Sequence, residues 1–196
     1  MDTDRKFLTD FLKRTIPIAN NIANAIATNF EPVTYKKNDF LLKQEQVSND
    51  FLIRAFTFDT EGNEVTTNFY RPDSIVFEVA SYFKRTPTEE NIQALSYCTG
   101  WVGNYDSLQI LFHSIPEFRE FGRTNLVNGF IALKERTLSI INLTAEQRYE
   151  DLMRTRPEIF QNAPLKQIAS FLGITDTSLS RIRKEFKQRD FLPNGK

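Results

Sequence analysis

The apolar positions at the start of the chain recur at a helical spacing and then change to short, strand-like runs. The stripe that predicts a helix over 4–14 consists of Phe7, Leu8, Phe11 and Leu12. A second helix is predicted over 18–29, after Pro17. Beyond it, short apolar runs bounded by turn residues predict strands at 33–35, 40–42, 51–58 and 65–70.

Turn residues divide these runs into hairpins. Gly62 and Asn63 accept positive φ, which favours a hairpin turn at 59–63. A further hairpin is predicted from 92–98 and 101–105, turning at Thr99-Gly100. Short strands at this spacing are typical of a β-sandwich or jelly roll.

The longest helical pattern spans 117–141, after a shorter predicted helix at 106–114. Its apolar residues lie on two faces: Phe118, Phe121, Leu126, Phe130, Leu133, Thr137 and Ile141 on one, and Val127, Ile131, Leu138 and Ile140 on the other. A helix that is apolar on two faces needs two covers. The β-rich domain supplies one. The second is either the same helix of another subunit, which we favour, or a single large core that encloses both faces.

Composition excludes several kinds of chemistry. The 196 residues include one Cys, Cys98, and one His, His113, too few for a disulfide framework or the usual zinc site. No nucleophile motif or phosphate-binding glycine loop is visible, so we expect no enzyme, no metal site and no cofactor. Because no apolar run could span a membrane and residues 1–6 do not resemble a secretory signal, we expect a cytoplasmic protein.

The formal net charge is zero, but the charge is unevenly distributed. Residues 1–143 hold 15 Lys/Arg and 18 Asp/Glu, whereas residues 144–196 hold 10 and 7. Within 181–189, five residues are basic and one is acidic. Such a run is often only a solvated helix face, so its meaning depends on the segment that precedes it.

That preceding segment has the pattern of a helix-turn-helix. Thr144 and Gln147 form a capping box, and the helix that they begin ends before Pro157. After it, Gly173 separates two shorter helical patterns, since glycine accepts the left-handed conformation at a helix end most cheaply. Thr175 caps the second pattern. The inward-facing residues are Leu165, Ile168, Ala169 and Leu172 in the first helix, and Leu179, Ile182 and Phe186 in the second.

Polar side chains remain on the outer face of the second helix. A major groove accepts one helix, whose N-terminal side chains then reach base edges. Arg181 suits a bidentate contact to guanine, while Asp176 could accept from cytosine or simply cap the helix. An ordinary helix pair within an α-domain is the alternative. The predicted DNA-contacting residues are Lys166, Gln167, Thr175, Asp176, Thr177, Ser178, Ser180, Arg181, Arg183 and Lys184.

Through Ile168 to Thr175 and Leu179 to Arg183, the chain resembles the Crp/Fnr superfamily of bacterial transcription regulators. The resemblance covers nearly the whole chain and implies an α+β fold. Its parts would be an N-terminal cyclic-nucleotide-binding-like jelly roll (1–115), a dimerisation helix (116–142) and a C-terminal winged helix-turn-helix domain (143–196). It also implies a homodimer on two-fold symmetric double-stranded DNA, with RNA polymerase as a further expected partner. The expected dimer contacts are Phe121, Leu126, Phe130, Leu133 and Thr137.

Several positions depart from the family pattern. Members that bind cyclic nucleotides use a Gly-Glu pair and a downstream Arg-Ser/Thr-Ala, whereas here Phe77 precedes Glu78 and Thr88-Glu89-Glu90 replaces the second motif. Carboxylates repel a phosphate, and the arginine that would pair with it is gone. At the candidate pocket of Phe77, Glu78, Thr88 and Glu89 we therefore expect no useful affinity for cyclic AMP.

Other departures from the family pattern exclude further kinds of sensor and change the expected DNA site. The iron–sulfur branch needs several N-terminal cysteines, which this sequence lacks, and one histidine does not favour haem sensing. Asp176 and Thr177 replace the usual Arg-Glu, so the operator should differ, and only residues 187–196 remain for a minimal wing. The sequence predicts a transcription regulator whose sensor is degenerate or binds an unknown effector. The alternative is a small-molecule-binding module in which DNA contact is secondary.

Overall fold

Two helices precede the sheets, as the apolar stripe predicts. They are α1, Asp2–Thr15, and α2, Asn20–Ala27. Leu8, Leu12 and Ile26 are buried because they lie on the faces that the two helices share with the interior. The computed structural model describes residues 2–41, 45–49 and 52–190.

The described strands form two antiparallel sheets. They are β1 Glu31–Tyr35, β2 Glu45–Asn49, β3 Ile53–Phe58, β4 Glu64–Tyr70, β5 Ile75–Val76, β6 Asn91–Ala94 and β7 Cys98–Gly103. One sheet has the order β1-β7-β2-β5 and the other the order β4-β3-β6. A core drawn from both sheets lies between them and includes Leu41, Ile53, Val76, Ala94 and Cys98. This arrangement confirms the predicted jelly roll.

The β3–β4 hairpin forms where the turn residues predict it. Gly62 has a φ of 82°, which a residue with a Cβ adopts only at a cost. The Asp59 carboxylate accepts hydrogen bonds from the backbone N–H groups of Glu61 and Asn63. The turn is thus built from contacts between near neighbours in the chain.

The predicted hairpin at Thr99-Gly100 is wrong. β7 runs through both residues, with Gly100 opposite Val33 of β1 and Ser48 of β2. β6 instead pairs with β3 in the other sheet. A threonine–glycine pair suits a turn by residue type, but here glycine lies within a central strand that both neighbours hydrogen-bond.

Other sheet-region elements differ in extent. Strands β2 and β5 and a short helix, α3 Val79–Lys84, are additional to the predicted elements. In the predicted strand 40–42, Phe40 forms only an isolated bridge to Gln93, and Leu42 lies outside the described residues. Phe51 also lies outside them, so the predicted strand 51–58 is described as β3 from Ile53.

Helices make up the rest of the described chain. They are α4 Tyr105–Ser114, α5 Pro116–Asn142, α6 Ala145–Thr155, α7 Pro157–Asn162, α8 Leu165–Leu172 and α9 Asp176–Asp190. The start of α5 packs under α1, where the rings of Phe11 and Phe121 lie 5.8 Å apart. Of residues 187–196, left for a minimal wing, the first four continue α9 and the last six lie outside the described part.

The two predicted apolar faces of α5 are uncovered beyond its first two turns. Phe118 and Phe121 are 2% and 5% exposed, whereas Phe130 and Ile141 are each 70% exposed. The alternative in which a single core of one chain encloses both faces of α5 is therefore wrong. Among the described helices, none is both long and apolar enough to cross a lipid bilayer.

Candidate nucleic-acid interface

The α8–α9 pair is held together by most of the residues that the sequence places inward, but the prediction is wrong for Leu165, which is 39% exposed at the start of α8. Ile168, Ala169, Leu179 and Ile182 are each at most 1% exposed and belong to one apolar cluster. Gly173, with a φ of 69°, ends α8, and the backbone N–H of Ile174 donates to the carbonyl of Ala169. The two helices therefore form the predicted rigid scaffold.

Thr175 begins the second helix of this scaffold. Its hydroxyl oxygen accepts a hydrogen bond from the backbone N–H of Ser178 at 3.2 Å, which satisfies one free donor at the helix start. It also lies 2.9 Å from the Thr177 hydroxyl. These contacts order the first turn of α9, where a groove-binding helix places its base-reading side chains.

The outer face of α9 is open to solvent. Asp176, Thr177, Ser180, Arg181 and Lys184 are exposed, and Ser178 and Arg183 are partly buried. The Arg181 side chain is 70% exposed and lies 3.9 Å from the Glu185 carboxylate, a weak surface contact that a stronger acceptor can replace. The structure thus brings the predicted residues of α9 together on one accessible surface.

The two predicted contact residues on α8 differ from each other. Lys166 is exposed, whereas Gln167 is partly buried. The Gln167 side-chain oxygen is buried without a hydrogen-bond partner in the structure. Gln167 is therefore less accessible than Lys166, as Ser178 and Arg183 are less accessible than the exposed residues of α9.

In the sensor, the predicted pocket residues make contacts with their own neighbours. The Glu78 carboxylate accepts hydrogen bonds from the backbone N–H groups of Ala80 and Ser81, so it caps α3. The Thr88 hydroxyl donates to the carbonyl of Glu90 at 2.9 Å, and the Phe77 ring packs edge-on against Tyr82. Glu89 is exposed. Among the described residues, no hydrogen bond or ion pair joins Glu78 to Thr88 or Glu89.

Tyr70 is a sensor residue that the sequence analysis did not single out. Burial raises the pKa of its phenol, and the negative charges of Glu90 and Glu78 raise it further, while a hydrogen bond with Asn68 acts in the opposite direction. The charges of Glu90 and Glu78 thus act on a partly buried side chain. A negative potential at this side chain disfavours an anion bound next to it.

A second feature that the sequence did not predict is the contact between α8 and β4. The backbone N–H of Thr66 donates to the Ser170 hydroxyl oxygen at 2.7 Å, and that hydroxyl donates to the Glu64 carbonyl at 3.3 Å. Beside them, the rings of Phe69 and Phe171 lie 5.0 Å apart. The helix-turn-helix is thus attached directly to a sensor strand. No local sequence pattern signals this contact.

The predicted dimer residues lie along α5 in two environments. Phe121 packs inside the sensor's helical core, so it has little surface to offer a partner. Leu126, Phe130 and Leu133 are 39%, 70% and 62% exposed, and Thr137 is exposed as well. Among the described residues, no group of three or more His, Cys, Asp or Glu side chains is placed to hold a metal ion.

Comparison with known proteins gives a consistent fold. A protein from Eubacterium rectale that is assigned to the Crp/Fnr family of transcriptional regulators has a TM-score of 0.71 at 12% identity, over 93% of this chain and 91% of that chain. A Crp/Fnr transcriptional regulator from Thermus thermophilus has a TM-score of 0.65 at 14% identity, over 85% and 90%. The chain has the Crp/Fnr fold.

A third match agrees with this fold. The c-di-GMP-responsive global regulator CLP from Xanthomonas campestris has a TM-score of 0.68 at 13% identity, over 91% of this chain and 96% of that chain. No protein-family model and no curated protein sequence matches the chain. The Crp/Fnr fold confirms the predicted order of jelly roll, long helix and helix-turn-helix.

Proposed function

We propose that this chain is a sequence-specific DNA-binding transcription regulator of the Crp/Fnr type. The observation that carries the proposal is the outward display of the polar residues of α9 on a scaffold that is held by buried Ile168, Ala169, Leu172, Leu179 and Ile182. A surface helix with exposed Arg, Lys, Ser and Thr side chains fits a major groove in width and in hydrogen-bonding chemistry. The basic balance of residues 144–196 supports binding to phosphates.

We also propose that the regulator acts as a homodimer through the distal part of α5. Its exposed apolar residues there include Leu126, Val127, Phe130, Ile131, Leu133, Leu138, Ile140 and Ile141. A continuous apolar surface of this extent is costly in water and is typical of an interface. A second copy of α5 offers the same surface, as two-fold association requires.

The sensor would act without cyclic AMP in this proposal. Glu78, which stands where the family's ribose-binding acid is expected, already caps α3. A ligand at this carboxylate would compete with two backbone N–H groups for it. The charge of this carboxylate would in addition repel a cyclic phosphate bound beside it.

Selection of bound duplexes from a random-sequence DNA library tests the DNA-binding proposal. We expect a two-fold symmetric consensus whose half-sites have centres about 10 base pairs apart, or a multiple of one turn. Recovery of no consensus above the starting library would contradict it. An asymmetric consensus would retain DNA binding but contradict the dimer.

Sedimentation velocity tests the dimer with two matched substitutions. Phe130→Glu places a charge on the proposed interface, so we expect mainly monomer at micromolar concentration. Ile110→Glu changes a residue of α4 that is similarly exposed, 65% against 70%, and should leave the dimer unchanged. Equal behaviour of the two variants would refute α5 as the interface.

A further inference from the structure

The helix-turn-helix covers the free edge of a sensor strand. In the described part of the chain, β4 lies at the edge of its sheet, so one side of it has no partner strand. The backbone N–H of Thr66 donates to the Ser170 hydroxyl of α8, and the Thr66 carbonyl accepts from the Arg136 side chain of α5. The Glu64 carbonyl, two residues earlier in the strand, also accepts from Ser170. Such edges need a cover, and here α8 and α5 provide it.

Arg136 connects the distal part of α5 to this contact. Of residues 126–138, all of which the structure describes, Arg136 alone is partly buried and the others are exposed. Its Nη2 donates to the carbonyl of Phe171 at 3.2 Å and to the carbonyl of Thr66 at 3.4 Å, and its guanidinium lies 4.2 Å from the centre of the Phe171 ring. One side chain thus joins the proposed dimer helix to both the DNA-binding domain and the sensor.

A second arginine holds the same end of α8. Arg148 of α6 donates through Nε to the Leu172 carbonyl at 3.1 Å and through Nη1 to the Leu143 carbonyl at 2.6 Å. Leu143 is the residue that caps the end of α5. Phe171 and Leu172 are the last two residues of α8, where carbonyls lack helical partners and attract cations. The end of α8 is therefore bonded to the middle of α5 by one guanidinium and to the end of α5 by the other.

The position of this helix end decides where α9 begins. Only residues 173–175 separate α8 from Asp176, the first residue of α9. The backbone N–H of Ile174 donates to the Ala169 carbonyl, so the short link is itself ordered. A displacement of the end of α8 therefore moves the base-reading face of α9 with it. In a dimer formed through α5, the separation of the two α9 helices depends on how each is held to its own α5.

We propose that Ser170 and Arg136 are positioning residues that set the separation of the two DNA half-sites which the dimer accepts. This inference rests on the proposed function, in which α9 reads a half-site and α5 joins the subunits. Both side chains bond to the protein itself, so they determine the place of α9 and not the bases that it reads. Adding two base pairs between half-sites moves one of them by about 7 Å and rotates it by about 70°, which two rigidly held helices do not follow.

Fluorescence anisotropy on the full chain tests this inference. The duplexes carry two copies of the selected half-site, either at the preferred separation or with two base pairs added or removed. We expect the unchanged protein to bind the preferred separation about tenfold or more tighter than the altered ones. Arg136→Met keeps an apolar stem on Phe171 but removes both hydrogen bonds, so this ratio should fall to about threefold or less. Affinity for a duplex with a single half-site should change by less than about twofold.

Two further variants separate positioning from charge and from folding. Lys134→Met removes a cation from the same helix at an exposed side chain, so it should leave the spacing ratio unchanged. Ser170→Ala removes the bonds to β4 from the other partner and should lower the ratio as Arg136→Met does. A ratio that survives in both Arg136→Met and Ser170→Ala, or that falls equally in Lys134→Met, would overturn this inference alone. No binding of any half-site by the unchanged protein would overturn the proposed function.

Hydrogen exchange of the free protein tests the contact without DNA. The Thr66 amide donates to Ser170, so its exchange reports whether α8 lies on β4. We expect Ser170→Ala to accelerate exchange at Thr66 by about tenfold or more, and Arg136→Met to accelerate it by a smaller factor. Lys134→Met should leave it unchanged. Unaltered protection of Thr66 in both Ser170→Ala and Arg136→Met would show that neither residue holds α8 in place, and it would overturn the inference whatever the DNA measurements give.

Discussion

The outer face of α9 and the candidate pocket of the sensor both contain polar residues near a helix start, but the protein uses them differently. Glu78 caps α3 and Thr175 caps α9. Beyond the cap, α9 still presents exposed side chains such as Arg181 and Lys184. In the sensor, Thr88 is bonded to Glu90 and Phe77 packs on Tyr82.

This difference indicates which polar side chains are free to bind an external partner. A polar group that the chain itself satisfies must lose that contact before it can hold a ligand, whereas an exposed group exchanges only water. Recognition of an external partner is therefore concentrated on α9. A sensor ligand must either displace the internal contacts of Glu78 or bind elsewhere on the chain.

The largest expected effect comes from removing the support beneath α9. Leu179→Ala deletes a side chain that is 1% exposed in the shared core, so the free energy of unfolding should fall by about 2–5 kcal/mol. Urea denaturation followed by circular dichroism measures it. Leu165→Ala in the adjacent helix is the control, because Leu165 is 39% exposed and should cost less than about 1 kcal/mol. Similar losses in both variants would show that the surface is not built on this core.

Changes on the α9 surface itself should affect DNA binding and leave stability intact. On the selected consensus, Arg181→Ala should weaken binding by about 1–3 kcal/mol and relax preference at one base pair. Lys184→Ala should weaken binding to all DNA sequences alike. It should also reduce the slope of the logarithm of the binding constant against the logarithm of the salt concentration by about one. Fluorescence anisotropy across salt concentrations separates the two. Identical salt slopes and unchanged sequence preference in both variants would contradict the assigned roles.

On the sensor side, Glu78→Ala should act on stability and not on cyclic AMP. Loss of the two cap hydrogen bonds of α3 should cost roughly 0.5–2 kcal/mol in the free energy of unfolding. Titration of cyclic AMP into the unchanged protein should give no binding heat. If the protein bound cyclic AMP with micromolar affinity and Glu78→Ala lost that binding, the sensor pocket would be functional. The contrast drawn here between the pocket and the α9 surface would then be wrong.

The smallest expected effect is a loss of stability at alkaline pH, which arises from Cys98 in the interior of the sensor. Burial raises the pKa of Cys98 from its ordinary value of 9.0 to about 11, so the folded protein keeps this proton at a pH at which the unfolded chain releases it. The unfolded state then binds fewer protons, and stability falls as pH rises, by about 1 kcal/mol or less between pH 9 and 10. The decrease should be smaller in Cys98→Ala. An equal decrease in both proteins would place the alkaline sensitivity at other groups, among them Tyr70.

The regions that the sequence predicts well are those whose structure depends on neighbours in the chain. The Gly62 turn, the capping box of Thr144 and Gln147 and the left-handed Gly173 all appear where expected. The Thr99-Gly100 turn does not, because the pairing of β7 with β1 and β2 outweighs the local preference. The outer surface of α9 was predictable because α8 and α9 adjoin each other in sequence, so that it depends mainly on neighbours in the chain.

By itself, the sequence determined the capping box of α6, the turn at Gly62 and the end of α8 at Gly173, since these depend on interactions over a few residues. Only the tertiary structure decided the partner strands of β7 and the contact of Ser170 with β4. These contacts join residues far apart in the chain. Their formation depends on how all the apolar faces are buried together, which no local pattern encodes.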